Sequence, residues 1–139
     1  MGEEMKKKLL SFAAVAITLV AASLTMAAPA QAAESPVALC GSDYYVLNSH
    51  GVSGATVYVL ASQGGAAYNC VVTIKTANRG NASFVGASVE TADGRSGTDQ
   101  GNFLYYAGPV RISAPGQCIR WSGAGSNSSW WSSTWSYCN

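Results

Sequence analysis

The chain has little charge, a single histidine, and no helical periodicity of useful length beyond residue 33. Each shortage excludes something. Charged side chains make up 11% of the residues. Beyond residue 32 they cancel: Lys75, Arg79, Arg95, Arg111 and Arg120 stand against Glu34, Asp43, Glu90, Asp93 and Asp99. The basic footprint of a nucleic-acid binder is missing. So is a polybasic patch for anionic lipid. His50 lies between Ser49 and Gly51 in "SHGVSG", which reads as a surface turn. Catalytic triads assemble through space, so spacing alone decides nothing, but the chain has no G-x-S-x-G nucleophile elbow. Glu90, Asp93 and Asp99 are the candidates for a glycosidase carboxylate pair. The latter two sit beside glycines and read as turn formers. "DGRSGTD" is rich in oxygen donors but lacks the spacing and the closing Glu of a calcium-binding EF-hand loop. No C-x-x-C pair offers a zinc site. The expectation is a protein that is not an enzyme, with no cofactor and no bound metal.

The first 32 residues have a different character. Lys6, Lys7 and Lys8 precede an apolar run from Leu9 to Ala28, and Pro29 then leads into Ala30-Gln31-Ala32. A positive start, an apolar centre and a small-x-small site describe a signal peptide. A run of roughly 20 apolar residues is also long enough to cross a bilayer, but the small-residue site favours cleavage. The acidic "MGEE" fits such a leader poorly, so translation is expected to begin at Met5. Cleavage after Ala32 leaves 107 residues, enough for one domain with a modest core. The expected protein is secreted, extracellular or attached to a cell wall, with no stable membrane insertion after cleavage.

All four cysteines, Cys40, Cys70, Cys118 and Cys138, follow the leader. An even number in an exported chain implies disulfides. Three pairings are possible, and the local one, Cys40–Cys70 with Cys118–Cys138, is favoured. On the chain-entropy account each such bond is worth about 3–4 kcal/mol, comparable to the net stability of a small domain. The sequons at Asn81 and Asn127 matter only in a eukaryotic secretory host.

The remaining pattern is that of short strands. "DYYVLN", "ATVYVLAS" and "YNCVVTIKT" are rich in β-branched and aromatic residues. In the third, Cys70, Val72 and Ile74 share one face, and Val71, Thr73 and Lys75 share the other, as in a half-buried strand. In "ASFVGASVE" the face with Val85, Ala87 and Val89 is the buried one. "TADGRSGTDQGN" reads as a polar loop, turned at Asp93-Gly94. "FLYYAGPVRISAPG" reads as two segments divided at Gly108-Pro109, and "QCIRWSG" as a further strand. "GAGSNSS" has the composition of a linker. The pattern predicts an all-β, mostly antiparallel sandwich or barrel, spanning residues 33–139 as a single domain.

The chain ends in "SNSSWWSSTWSYCN", rich in tryptophan and serine and devoid of charge. Trp121, Trp130, Trp131, Trp135 and Tyr137 form a possible ligand or partner surface. Indole and phenol rings supply flat apolar area, and neighbouring hydroxyls supply hydrogen bonds, which suits sugar rings. The competing reading is that the rings pack the tail onto the body. In an extended chain Trp131, Trp135 and Tyr137 face one way and Trp130 the other, which makes Trp130 the best candidate for an exposed ring. A third reading makes Arg95, in its polar loop, the anchor of a serine-protease inhibitor.

"CGSDYYVLNS", "GATVYVLAS", "NCVVTIKT", "YAGPVRISAPGQCIRW" and the tryptophan-rich end closing on "YCN" resemble the spore-associated protein A family of filamentous actinobacteria. The resemblance covers most of the chain after the leader, and Cys40, Cys70, Cys118 and Cys138 fit its cysteine pattern. It implies a small exported protein associated with spores or aerial structures, with no active-site residues to carry over. "RWSGAG" stands where the family suggests a more glycine-rich stretch. The resulting expectation is a non-enzymatic protein of the cell or spore surface. Its partners would be a cell-wall polysaccharide or a surface protein. The alternative is a carbohydrate-binding module that uses exposed aromatic residues.

Overall fold

The computed structural model describes residues 34–64 and 67–138, and the expected leader and its cleavage site lie outside the described residues. A five-residue helix α1 (Pro36–Cys40) is followed by eight strands: β1 (Tyr44–Val52), β2 (Ala55–Ser62), β3 (Tyr68–Lys75), β4 (Ser83–Thr91), β5 (Ser96–Phe103), β6 (Tyr106–Ser113), β7 (Ile119–Ala124) and β8 (Trp130–Ser132). They form two four-stranded sheets, A in the order β1-β2-β3-β6 and B in the order β5-β4-β7-β8. All the paired strands are antiparallel. The sandwich alternative of the sequence reading is the correct one, and the sheets do not close into a barrel.

The core between the sheets follows from alternation. Val57 and Val59 of β2, Val71 of β3, Val85, Ala87 and Val89 of β4, Ala107 of β6, and Ile119 and Trp121 of β7 form one buried cluster. Gly123 lets the sheets approach, because a Cβ there would lie 2.6 Å from Val57. Gly97 does the same opposite Val110, at 2.8 Å.

Several local expectations are corrected. "SHGVSG" is not a turn as a whole. β1 continues through His50 to Val52, and the reversal comes at Ser53-Gly54, where Gly54 has φ +67°. Ser96–Phe103 is a strand rather than a loop, because its polar residues alternate with Gly97, Gly101 and Phe103 on a sheet edge. Tyr106–Ser113 is one strand, with a cis peptide bond at Gly108-Pro109 inside it. "GAGSNSS" begins within β7 and only then turns.

β3 is buried on both faces rather than one. Val71, Thr73 and Lys75 point between the sheets. Cys70, Val72 and Ile74 join Cys40, Tyr44 and Leu60 in a second cluster on the outer side of sheet A, with Val37 and Leu39 of α1 packed against it. The helix is one and a half turns long, too short to reveal itself as a periodic pattern, although Ser35 caps it by accepting the Ala38 N–H at 3.0 Å. The disulfides are Cys40–Cys70 and Cys118–Cys138. The first pins α1 to β3, and the second pins the tail to the start of β7.

Candidate ligand-contact surface at the tryptophan-rich tail

The tail returns to sheet B through β8. Trp130, Trp131 and Ser132 pair with Ala124, Gly123 and Ser122 of β7. Ser136 then exchanges both backbone hydrogen bonds with Ile119, at 2.8 and 2.9 Å, before Cys138 closes the loop. The register decides which way each ring faces. Trp131 lies opposite Gly123 and turns inward. Trp130 lies opposite Ala124 and turns outward, across Gly86.

The five candidate rings therefore occupy different environments. Trp121 is 3% exposed and belongs to the core. Trp131 and Tyr137 are partly buried against that core. Trp130 and Trp135 are 40% and 45% exposed. Trp131 meets Trp121 edge-on, with ring centres 4.8 Å apart. Its neighbour on the other strand is His50, stacked at 3.8 Å with the ring planes 10° apart. A position read as a plain turn thus holds β1 to β8 across the two sheet edges.

The β1/β8 flank is open. Asn48 and His50 lie opposite the inward-facing Val59 and Val57, so two polar side chains occupy inward positions of this edge strand. A cleft of about 400 Å³ results, lined by Asn48, His50, Trp131, Ser133, Ser136 and Tyr137 among others. A smaller hollow of about 200 Å³ continues along the seam beside Val52, Asn127, Trp130 and Trp131. The signal was present in the sequence, since Asn48, His50 and Val52 share one face once the strand is extended by four residues.

The outer face of sheet B carries a second arrangement. Thr98 (β5), Ser88 (β4), Ser122 (β7) and Ser132 (β8) are successive cross-strand partners. The Ser88 and Thr98 hydroxyls are 2.8 Å apart, as are those of Ser122 and Ser132. Next to this row Glu90 pairs with Arg120, whose guanidinium lies over the Trp135 ring at 4.9 Å. Sequence reasoning missed the row because its members come from four separate strands.

Among the described carboxylates, four hold structural partners. Glu34 pairs with Arg79, and this contact keeps its pKa below the ordinary value. Asp93 accepts from the Thr91 hydroxyl and from Arg95, and the Thr91 bond is the main reason its pKa is lowered. Asp99 accepts the Gly108 N–H at 2.7 Å, and Glu90 holds Arg120. Arg95 itself is tied back, donating to Asp93 and, at 2.7 Å, to the Ser113 carbonyl. Lys75 reaches out of the core to the carbonyls of Asn78, Asn81 and Phe103, at 3.0, 2.6 and 3.1 Å. Burial lowers its pKa.

The fold and site define a small, cystine-stabilised antiparallel sandwich with one aromatic flank and one neutral polar face. The comparisons give it a family. The chain is 35% identical over 114 residues to spore-associated protein A of Streptomyces coelicolor, a match covering 81% of this chain and 73% of that protein. It belongs to the spore-associated protein A family. No family model and no solved structure matches it.

Proposed function

We propose that this is a secreted, non-catalytic protein that works by contact at the cell or spore surface. The observation carrying this reading is the tail. The Cys118–Cys138 disulfide and β8 hold Trp130 and Trp135 in the open on a domain of no net charge. An exposed indole offers a large flat apolar area with a polar N–H, which suits a surface that meets a partner. Support comes also from the name of the relative, from the leader-like first 32 residues, and from two disulfides, which persist in oxidising compartments. Carboxylates committed to structural partners, and a histidine stacked flat on indole, fit a contact role better than acid–base chemistry.

The reading is tested by fractionating a culture that expresses the tagged full chain. The expected result is a shortened, disulfide-bonded protein outside the membrane, enriched on washed walls or spores. Recovery in the cytosol with free thiols would overturn it. The second reading, carbohydrate binding, is favoured by one observation: the two exposed indoles flank hydroxyls rather than apolar residues.

A further inference from the structure

We propose that the outer face of sheet B is a platform for a neutral, extended polysaccharide, with Trp130 and Trp135 as its two stacking surfaces. This rests on the contact role above and names the ligand class and the site.

Three rows cross this face. The central row is the hydroxyl line Thr98, Ser88, Ser122 and Ser132, one side chain per strand. Strands lie about 4.8 Å apart, so the row extends about 14 Å. One flanking row is Gln100, Gly86, Ala124 and Trp130. Gly86 makes room for the indole, since a Cβ there would come within 2.6 Å of the Trp130 ring. The Cζ2–Cη2 edge of the ring is therefore in van der Waals contact with the sheet, and the side chain remains 40% exposed. The other flanking row contains Glu90 and Arg120, with Trp135 stacked on the guanidinium. Ala124 and Arg120 are four residues apart on β7, roughly 14 Å of strand.

The surface thus offers two indoles separated by hydroxyls. A protein-binding patch has an apolar centre with a polar rim, whereas here the centre is polar and the rings are peripheral. A sugar polymer has the matching chemistry: apolar C–H faces recur along it, and hydroxyls lie between them. Charge gives the same answer. The acidic and basic groups named on this face, Glu90 and Arg120, neutralise each other, so nothing there attracts an anionic or cationic polymer. The platform is also pre-organised. Trp130 rests on Gly86, Trp135 rests on Arg120, and the hydroxyls are paired, so little side-chain freedom is lost on binding.

The test is retention of the leader-cleaved protein on insoluble cellulose and chitin, with a carboxymethylated cellulose as the charged comparator. Tight retention on a neutral polymer is expected, weakened at least tenfold in Trp130→Ala and in Trp135→Ala. Gly86→Ala, which keeps both indoles but lifts Trp130 off the sheet, should weaken it too. Tyr68→Ala, an exposed ring on β3 of sheet A, should retain wild-type binding. Circular dichroism and free-thiol titration identify any variant that fails to fold, and Ser122→Lys gives a second variant that leaves the rings alone. Binding to neither neutral polymer overturns the proposal, as does wild-type retention by the ring variants. If these substitutions instead abolish self-association or capture of a surface protein, the face is a protein contact and the polysaccharide assignment is wrong. Washed walls stripped of protein separate the two readings. Wild type that stays on them while the ring variants do so equally well removes this site and leaves the surface role intact.

Discussion

Sheets A and B share a core, but their outer faces have been used differently. On sheet A the outer face is covered at its centre, while Val46 and Tyr68 at its margins stay 44% and 43% exposed. Cys70, Val72 and Ile74 lie under α1, the Cys40–Cys70 disulfide holds the helix down, and Arg111 donates to the carbonyls of Leu39 and Cys40. On sheet B the outer face is bare, hydroxylated and edged by indoles. The central strands record the difference. β3 is buried from Asn69 to Lys75, while β4 buries Val85, Ala87 and Val89 and leaves Ser88 and Glu90 at half exposure. A chain of this size has a modest core. Covering one face adds apolar burial where a sandwich alone supplies little, and that leaves the other face free to be polar and to meet a partner.

The comparison breaks most severely if the cover is removed. Replacing both Cys40 and Cys70 by serine should cost about 3–4 kcal/mol, the chain-entropy value for a bond spanning 30 residues. Chemical denaturation should show it, along with new dye-binding apolar surface from Val72 and Ile74. A loss below 1 kcal/mol would mean that packing alone seats the helix.

Arg111→Ala removes the guanidinium that holds the last carbonyls of α1, the closest bond being 2.7 Å to Cys40. A charge-assisted hydrogen bond at a partly exposed site implies a loss of about 1–2 kcal/mol. Hydrogen exchange at the amides of Leu39 and Cys40 should rise more than exchange in β4. Equal increases in both sheets would contradict a local clamp.

Acid should loosen the same cover. Arg79 holds the Glu34 carboxyl below its ordinary value of 4.5, so the folded state binds this proton less readily than the unfolded chain. Stability from this pair is present above the unfolded pKa and is lost as pH falls through the lower folded value. The drop in melting temperature between about pH 5 and pH 3 should therefore be smaller in Glu34→Gln than in wild type.

The smallest effect belongs to the bare face. Ser88→Ala and Ser122→Ala remove hydroxyls that meet solvent, and each should change stability by less than about 0.5 kcal/mol. A large loss from either would show that the hydroxyl row supports the fold rather than being free for contact.

Much of this was legible. Composition in Ala55–Ser62 and alternation in Tyr68–Lys75 and Ser83–Glu90 located three strands and the inward face of β4, while β3, read as half-buried, is buried on both faces. Of the three possible disulfide pairings the favoured local one is the one formed. β5 was hidden because its residues, "SGTDQGNF", have turn-former chemistry, and only pairing with β4 makes them a strand. His50 was hidden because its role depends on Trp131, 81 positions further along the chain.

The sequence by itself determined an all-β fold and a neutral stretch that carries all four cysteines. These follow from composition and period-two alternation, which are local properties of the chain. Only the tertiary structure decided which face each tryptophan took, that a five-residue helix would bury the second face of β3, and that four hydroxyls from four strands would fall in line. Those outcomes depend on register between distant strands. A shift of one residue in that register would move every side chain to the opposite face.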